Sequence, residues 1–464
     1  MADLKLCIHG HFYQPPRENP FTGVVPDEAG AEPFRNFNEK IHHECYKPNA
    51  DLGNWELISF NLGPTLAAWL ENRFPSTHHR IQDADRYHRQ SFGVGNAVAQ
   101  AYNHSILPLA THRDKITQIA WGIADFRHRF GHMPQGMWLP EMAVDLDTLM
   151  VIESQGIEFT LLCPHQVRLD GDGWVDSTRP YLVRLPNGKT LSVFLRDEEI
   201  SNRLAFDQGL TSDATHFGRW CRDTVHKDSG LFIIATDGET FGHHQPERQF
   251  FLKSLLRGEA AKAGFEITTP GKVLRYQRPQ QEVTIVENTA WSCAHGVSRW
   301  SIGCACTPGD GQWKPRLRTA FDRLAGGVDA LYENECRSWL NNPWQVRDSY
   351  INVILGRTDG MELLQRFWTN AIPTQNAIRI LLLLEAERYC QAMYTSCGWY
   401  FEDLSRIEPS NNIAYAIKAI EQVQLATGID LSQGFRNDLS AVQSWITEET
   451  GRDIYDRIVA ERQI

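Results

Sequence analysis

Five short apolar runs, spaced by longer segments of helical character, restrict the fold of this 464-residue chain more than any other feature. The runs are Leu4–Ile8, Gly136–Leu139, Phe159–Leu162, Leu191–Leu195 and Leu231–Ala235, each bounded by Gly, Pro or charged residues. Continuous apolar runs of this length suit strands buried on both faces, as in a parallel sheet. Between them, Ile116–Phe130 and Thr148–Gln155 have the apolar spacing of helices. Strand alternating with helix means βα units. Each run gives way to polar residues: His9 and His11, then Glu141, then His165, then Arg196 and Asp197, then Asp237 and Glu239. Residues just past the C-terminal ends of parallel strands meet at one mouth, so five such ends predict one shared site.

Beyond about residue 285 the pattern changes. Pro315–Tyr332, Met361–Trp368, Thr374–Met393, Ile413–Thr427 and Ser432–Thr447 carry helical spacing and few strand signals. The expectation is therefore an α/β catalytic domain over residues 1–284 and an α-helical domain over residues 285–464. A chain this long exceeds what one hydrophobic core usually supports. No window approaches the apolar run of a membrane span, and the first residues lack the pattern of a signal peptide. Ten cysteines without framework spacing suit a reducing compartment, so the cytoplasm is expected. A formal net charge of −11 with no basic block argues against nucleic acid. A neutral substrate fits better, and the 49 aromatic residues (Trp 14, Tyr 13, Phe 22) include flat surfaces on which sugar rings can lie.

Two segments carry the chemistry. In Met137-Trp138-Leu139-Pro140-Glu141 a carboxylate directly succeeds a strand and a proline, which narrows the backbone's freedom and suits a nucleophile. In Ile233 to His244 a buried strand ends in a glycine-punctuated loop bearing Asp237, Glu239, His243 and His244. Carboxylates brought near Glu141 would repel it, and at least one pKa would rise, leaving one acid protonated beside an ionised partner. That division of roles is what glycosyl transfer requires, and carboxyls about 5 Å apart would make the enzyme retaining.

The same residues resemble glycoside hydrolase family 57. His9-Gly10-His11-Phe12-Tyr13-Gln14-Pro15 is similar to the family's opening motif, and Asn103-His104-Ser105-Ile106-Leu107-Pro108-Leu109 to its second. Trp138-Leu139-Pro140-Glu141 and Asp237-Gly238-Glu239-Thr240-Phe241-Gly242-His243 match the third and fourth. The resemblance implies an incomplete (β/α)7 barrel and, after it, a helical region, acting on α-glucans without a cofactor or metal. It implies Glu141 as nucleophile and Asp237 as acid/base. His9, His11, Gln14, His104, Trp138, Arg196, Asp197, Glu239 and His243 are expected to contact substrate. Arg196 to Arg203 departs from the family pattern at Asn202, where an aspartate is expected, and Thr268 to Leu274 is a loose version of the fifth motif.

From Ala290 to Cys306 the chain looks like an uncharacterised extension found in one branch of that family. Trp291 and Trp300 are candidate aromatic faces for a glucan. Cys293, His295, Cys304 and Cys306 could supply four soft ligands for Zn²⁺, but their spacing is tighter than the usual structural pairs, and a loop of buried thiols is the expectation. His42-His43 and His78-His79 read as solvated surface. The leading reading is an amylase, 4-α-glucanotransferase or branching enzyme. One alternative makes His9, His11, Asp237 and His104 a zinc set for a deacetylase or mannosidase, and another is a glucan-binding protein without activity.

Overall fold

The computed structural model describes residues 4–171, 173–225, 227–369 and 371–461. They form two compact units. The first comprises Met1–Pro16, Pro26–Ala101 and Phe126–Trp291, and the second Arg17–Val25, Tyr102–Asp125 and Ser292–Ile464. The first unit runs on to Trp291, and two earlier excursions of the chain, Arg17–Val25 and Tyr102–Asp125, group with the helical unit.

Among the described residues the first unit holds eleven strands: β1 (Leu4–Phe12), β2 (Ser59–Leu62), β3 (Ala97–Gln100), β4 (Gly136–Trp138), β5 (Phe159–Leu162), β6 (Val167–Arg168), β7 (Tyr181–Arg184), β8 (Thr190–Leu195), β9 (Gly230–Asp237), β10 (Phe265–Ile267) and β11 (Glu282–Ile285). Seven run parallel in the order β9-β1-β2-β3-β4-β5-β8. Beyond β8, the Asp197 N–H donates to Ile233 O of β9 at 2.7 Å, so the two ends of the row meet through one backbone bond rather than a ladder. β10 also lies parallel to β1, pairing Leu4–Leu6 with Phe265–Ile267, so eight of these strands form one parallel set. All five expected strands are present, each within a few residues of its expected bounds. Every residue of β2, β3 and β5 is buried, and β1 is buried except at Lys5, the signature of strands covered on both faces.

β2 and β3 lie outside the five expected runs, because Ser59, Asn61 and Gln100 break their apolar pattern. Those polar side chains are buried within the parallel row. The histidine pairs also correct a reading. Successive helical residues point about 100° apart, so each pair splits between core and solvent. His43 and His79 are exposed, but His42 and His78 are buried, and His42 stacks on Phe74 at 3.6 Å with its Nε2 2.9 Å from Thr77 Oγ1.

In the second unit the helix Thr374–Ala392 packs along Ile407–Thr427 and Trp313–Cys336. Its buried Ala377, Ile380 and Leu384 lie on the i, i+3, i+7 stripe. The helix expected over Ser432–Thr447 stops at Leu439. Asp403 explains the stop: it accepts from Ser444 Oγ at 2.6 Å and from the Trp445 N–H at 2.9 Å, and so holds that segment in a turn. At the centre of this unit lies a fully buried arginine. Arg347 donates to Glu387 at 2.9 Å and to Thr117 Oγ1 at 2.9 Å, and sits 2.9 Å from Asp114. Replacing it leaves Glu387 buried without its counter-charge. Arg347→Ala is expected to destabilise the helical unit by about 3–5 kcal/mol, read as a lower urea midpoint in tryptophan fluorescence, whereas an unchanged midpoint would mean the cluster carries no net stability.

Candidate active site

Strand register assembles the floor of the site. In the parallel pairing His11 on β1 stands beside Asn61 on β2 and beside Asp237 on β9, and His9 stands beside Ser59. His9 and His11 are two residues apart and share a face. Asn61 joins them: its Nδ2 donates to His11 Nδ1 at 2.9 Å and to Gln100 Oε1 at 2.6 Å, and its Oδ1 accepts from His9 Nε2 at 3.2 Å. His9 Nδ1 then accepts from Ser59 Oγ at 2.9 Å. The two bonds of His9 place its proton on Nε2, while His11 Nδ1 lies 2.9 Å from Asn61 Nδ2 and 3.2 Å from Asn61 Oδ1. Burial drives the histidines down, His9 to about 3 and His11 to about 4, so both are neutral at physiological pH.

Trp138, the last residue of β4, lies flat against both imidazoles, 4.9 Å from His9 and 4.7 Å from His11. Its ring is fully buried. His9 is also fully buried, with both nitrogens engaged, so the structure makes His9 and Trp138 the supports of His11 rather than exposed contact surfaces. His11 further stacks on Tyr13 at 5.9 Å and meets the edge of Trp291 at 6.2 Å.

Glu141 comes next, on a tight turn. Its φ is +58° and that of Met142 is +47°, a left-handed conformation that costs residues bearing side chains on the order of 1–3 kcal/mol each. The turn is closed by the Met142 N–H to Leu139 O at 2.8 Å and by the Ala143 N–H to Pro140 O at 2.9 Å. A returning segment is stitched alongside it. Val144 pairs antiparallel with Thr289, and the Trp291 N–H donates to Glu141 O at 2.9 Å. The indole Nε1 of Trp291 donates to Glu141 Oε2 at 3.0 Å, so this tryptophan fixes both the backbone and the carboxylate of Glu141.

The opposite carboxyls lie at the end of β9. Asp237 keeps solvent-accessible surface, yet the protein around it raises its pKa to about 7; desolvation is the largest cause, the charge of Glu141 adds to it, and the guanidinium of Arg196 opposes it. Glu239 is buried and is raised to about 8, chiefly by desolvation, against a hydrogen bond from Tyr46. Its Oε1 accepts from Tyr46 Oη at 2.6 Å and from the Tyr13 N–H at 3.2 Å. Gln14, also buried, bonds the same Tyr46 hydroxyl. Gly238 between the two acids is required by space, since a Cβ there would stand 2.3 Å from the Phe12 ring. Gly242 has φ +138°, and a Cβ would meet Glu44 O at 2.2 Å, which keeps the loop close enough for His243 Nδ1 to lie 2.6 Å from Glu44 Oε2.

The remaining predicted residues divide between supporting positions and the other unit. Arg196 donates to Asn202 Oδ1 at 2.7 Å and stands 5.4 Å from the Trp291 ring. Asn202 is a neutral acceptor, and the Arg196 charge acts on Asp237 as well as on Asp197 and Glu198. Asp197 caps the helix Glu198–Phe206 by accepting from the Ile200 N–H. His165 bonds Glu198 and Ala290 O. His104 and Trp300 belong to the helical unit. There His104, buried with φ +54°, has its Nδ1 2.7 Å from Ser396 Oγ, and Trp300 is fully buried, a core position that removes it as an aromatic face. Sequence reasoning missed Asn61, Ser59, Gln100 and Tyr46. Only their brackets are legible, Gly63-Pro64 after β2 and Gly93 to Gly95 before β3, which are turn signals. His9, His11 and Asp237 are not among the groups of described residues whose ligand atoms converge as a metal site would need.

Residues 11–286 match the glycosyl hydrolase family 57 profile, and residues 310–464 match a domain of unknown function, DUF3536. The α-amylase 1 of Dictyoglomus thermophilum is 25% identical over 218 residues, which is 46% of this chain and 30% of that relative, so the matched part spans under a third of its length. Among solved structures, an exo-type maltose-forming amylase from Pyrococcus sp. ST04 superposes with a TM-score of 0.72 at 16% identity, covering 94% of this chain and 82% of that one. A branching enzyme from Pyrococcus horikoshii gives 0.58 at 14% identity, covering 100% and 95%, and an α-amylase from Thermotoga maritima gives 0.60 at 13%, covering 97% and 99%. At these identities the likeness is one of fold. The profile match, however, takes in well over half of the chain, from the His11 strand to the end of β11, and the chain belongs to glycosyl hydrolase family 57.

Proposed function

We propose that the protein is a retaining enzyme of α-glucan metabolism, a hydrolase or transglycosylase, with Glu141 as nucleophile and Asp237 as acid/base. The observation that carries this reading is the electrostatically coupled pair: a carboxylate fixed on a strained turn, and a second carboxyl whose pKa is raised to about 7 by desolvation and by the first one's charge. Glu141 attacks the anomeric carbon as Asp237 gives its proton to the glycosidic oxygen, so the C–O bond breaks and a glycosyl ester forms on Glu141. Asp237, now a carboxylate, takes a proton from water or from a sugar hydroxyl, whose oxygen displaces Glu141. The ester carries no charge, so the repulsion that raised the Asp237 pKa is absent while it acts as base.

His11, in register beside Asp237, is the proposed hydrogen-bond partner of the sugar, with His9, Asn61 and Trp138 holding it. Trp291 and Tyr13, both half-buried, supply aromatic surface. The zinc deacetylase reading is not favoured, because both nitrogens of His9 are committed to Ser59 and Asn61. No described helix is long and apolar enough to cross a membrane. We place the enzyme in the cytoplasm, a reading supported by ten cysteines that form no disulfide.

Incubation with maltoheptaose and amylose, with products resolved by chain length and branch points, tests the proposal; shorter, redistributed or branched chains are expected, and intact substrate at every enzyme concentration would end it. Glu141→Gln should lower turnover by roughly 10³-fold or more while glucan binding survives. Asp237→Asn should slow poor leaving groups by about 10²–10⁴-fold and activated aryl glycosides far less, and equal loss for both would remove it as the acid. Because Asp237 works protonated, kcat/KM is expected to fall as pH rises through about 7. Arg196 holds that pKa down, so Arg196→Gln should move the alkaline limb to higher pH, and a limb that stays in place would detach Arg196 from Asp237.

A further inference from the structure

We infer that Cys293, His295, Cys304 and Cys306 form a tetrahedral Zn²⁺ site in the helical unit. The cluster lies between the two profile matches, after residue 286 and before residue 310. The expectation of a loop of buried thiols is not met. Only Cys293 is buried; Cys304 is half-buried, and His295 and Cys306 are exposed. Cysteines that serve as small core hydrophobes do not sit in this way, and these four side chains converge from two segments of chain.

The distances fit a metal rather than a disulfide. Cys293 Sγ lies 3.5 Å from Cys304 Sγ and 3.7 Å from Cys306 Sγ, and His295 Nδ1 lies 3.3 Å from Cys306 Sγ and 3.9 Å from Cys293 Sγ. All four ligand atoms fall within 4.8 Å of one another. Around a tetrahedral Zn²⁺, with Zn–S of about 2.3 Å and Zn–N of about 2.0 Å, sulfur pairs stand about 3.8 Å apart and sulfur–nitrogen pairs about 3.5 Å. A disulfide would bring one pair to about 2.05 Å and leave the other two ligands without a purpose.

The backbone is arranged for the same end. Two turns each present ligands at their first and third positions: the Gly296 N–H closes the first on Cys293 O at 3.0 Å, and the Thr307 N–H closes the second on Cys304 O at 3.3 Å. In each turn the first sulfur accepts a hydrogen bond from the backbone N–H two residues on, His295 to Cys293 and Cys306 to Cys304. Gly296 at φ +62° and Gly303 at φ +84° supply the left-handed positions beside the turns. Three thiolates and one Zn²⁺ carry a net charge of −1, and the surroundings are cationic. Arg299, buried, bonds the Cys293 sulfur, and Lys314, fully buried, donates to Arg299 O at 3.0 Å. Thiolate and imidazole donors in a closed four-ligand set select Zn²⁺ in a structural role.

The full chain, purified untagged in reducing buffer without chelators, should contain one zinc per molecule by elemental analysis, released on titration with a mercurial. After metal removal under reducing conditions, added Co²⁺ should give a thiolate-to-cobalt charge-transfer band together with intense tetrahedral d–d bands, both displaced by Zn²⁺. Cys304→Ser and Cys306→Ser should each lower zinc affinity by at least tenfold; where a variant fails to fold, the cobalt titration of the unaltered chain decides. A chain that takes up neither Zn²⁺ nor Co²⁺, a purely octahedral cobalt spectrum, or a Cys293–Cys304 disulfide in the freshly isolated protein would overturn the site. None of these readouts depends on glucan turnover.

Discussion

Two carboxylates cannot both be ionised at low cost where water is scarce, and the catalytic unit is organised around that restriction. Asp237 carries the proton because desolvation and the charge of Glu141 act on it together. Glu141 in turn receives a hydrogen bond from the Trp291 indole, an interaction that strengthens with ionisation of its acceptor. The asymmetry between the two acids is therefore set by their neighbours, a donor on one side and a desolvated strand end on the other, and not by their residue types.

The same restriction accounts for the neutral histidines. An imidazolium in register beside Asp237 would pull that carboxyl's pKa down and strip its proton near neutral pH. Burial on the Trp138 face, with Asn61 and Ser59 committing ring nitrogens to neutral partners, prevents this. Arg196 is then the cation that opposes the rise at Asp237, and its partner is the uncharged Asn202. A carboxylate at position 202 would offset more of the Arg196 charge and let the Asp237 pKa climb further, so the departure from the family pattern at this residue has an electrostatic consequence at Asp237.

How much of the molecule is legible in the sequence depends on which signals are local. Strands buried on both faces announce themselves as apolar runs, and the five such runs, with the polar residues after them, point to Glu141 and Asp237 without any geometry. β2 and β3 stay hidden because their inward residues are Ser59, Asn61 and Gln100, polar for the sake of the histidine network; the strands most involved in holding the site are the ones whose pattern the site disrupts. Register is likewise out of reach, and with it the row Asp237, His11, Asn61. The excursion Tyr102–Asp125 shows a different limit. Its local motif around His104 is recognisable, but membership of the helical unit depends on long-range packing that no short window contains.

Strain at Glu141, the proposed nucleophile, completes the logic. Glu141, Met142 and Asn288 all have left-handed backbones, and the three residues border the short antiparallel bridge between Val144 and Thr289. Such conformations persist only where surrounding bonds over-determine them. Here the bonds are main-chain: Met142 and Ala143 to the preceding turn, Val144 and Asn288 to each other's strand, and Trp291 to Glu141. A carboxylate held by its backbone needs little reorganisation when substrate arrives, and that is the condition under which a fixed dipole or charge lowers a barrier rather than relaxing away from it. The segment from Asn288 to Trp291 is thus part of the mounting of Glu141. Its place at the very end of the first unit means that the last residues of the catalytic fold complete a turn begun some 150 residues earlier.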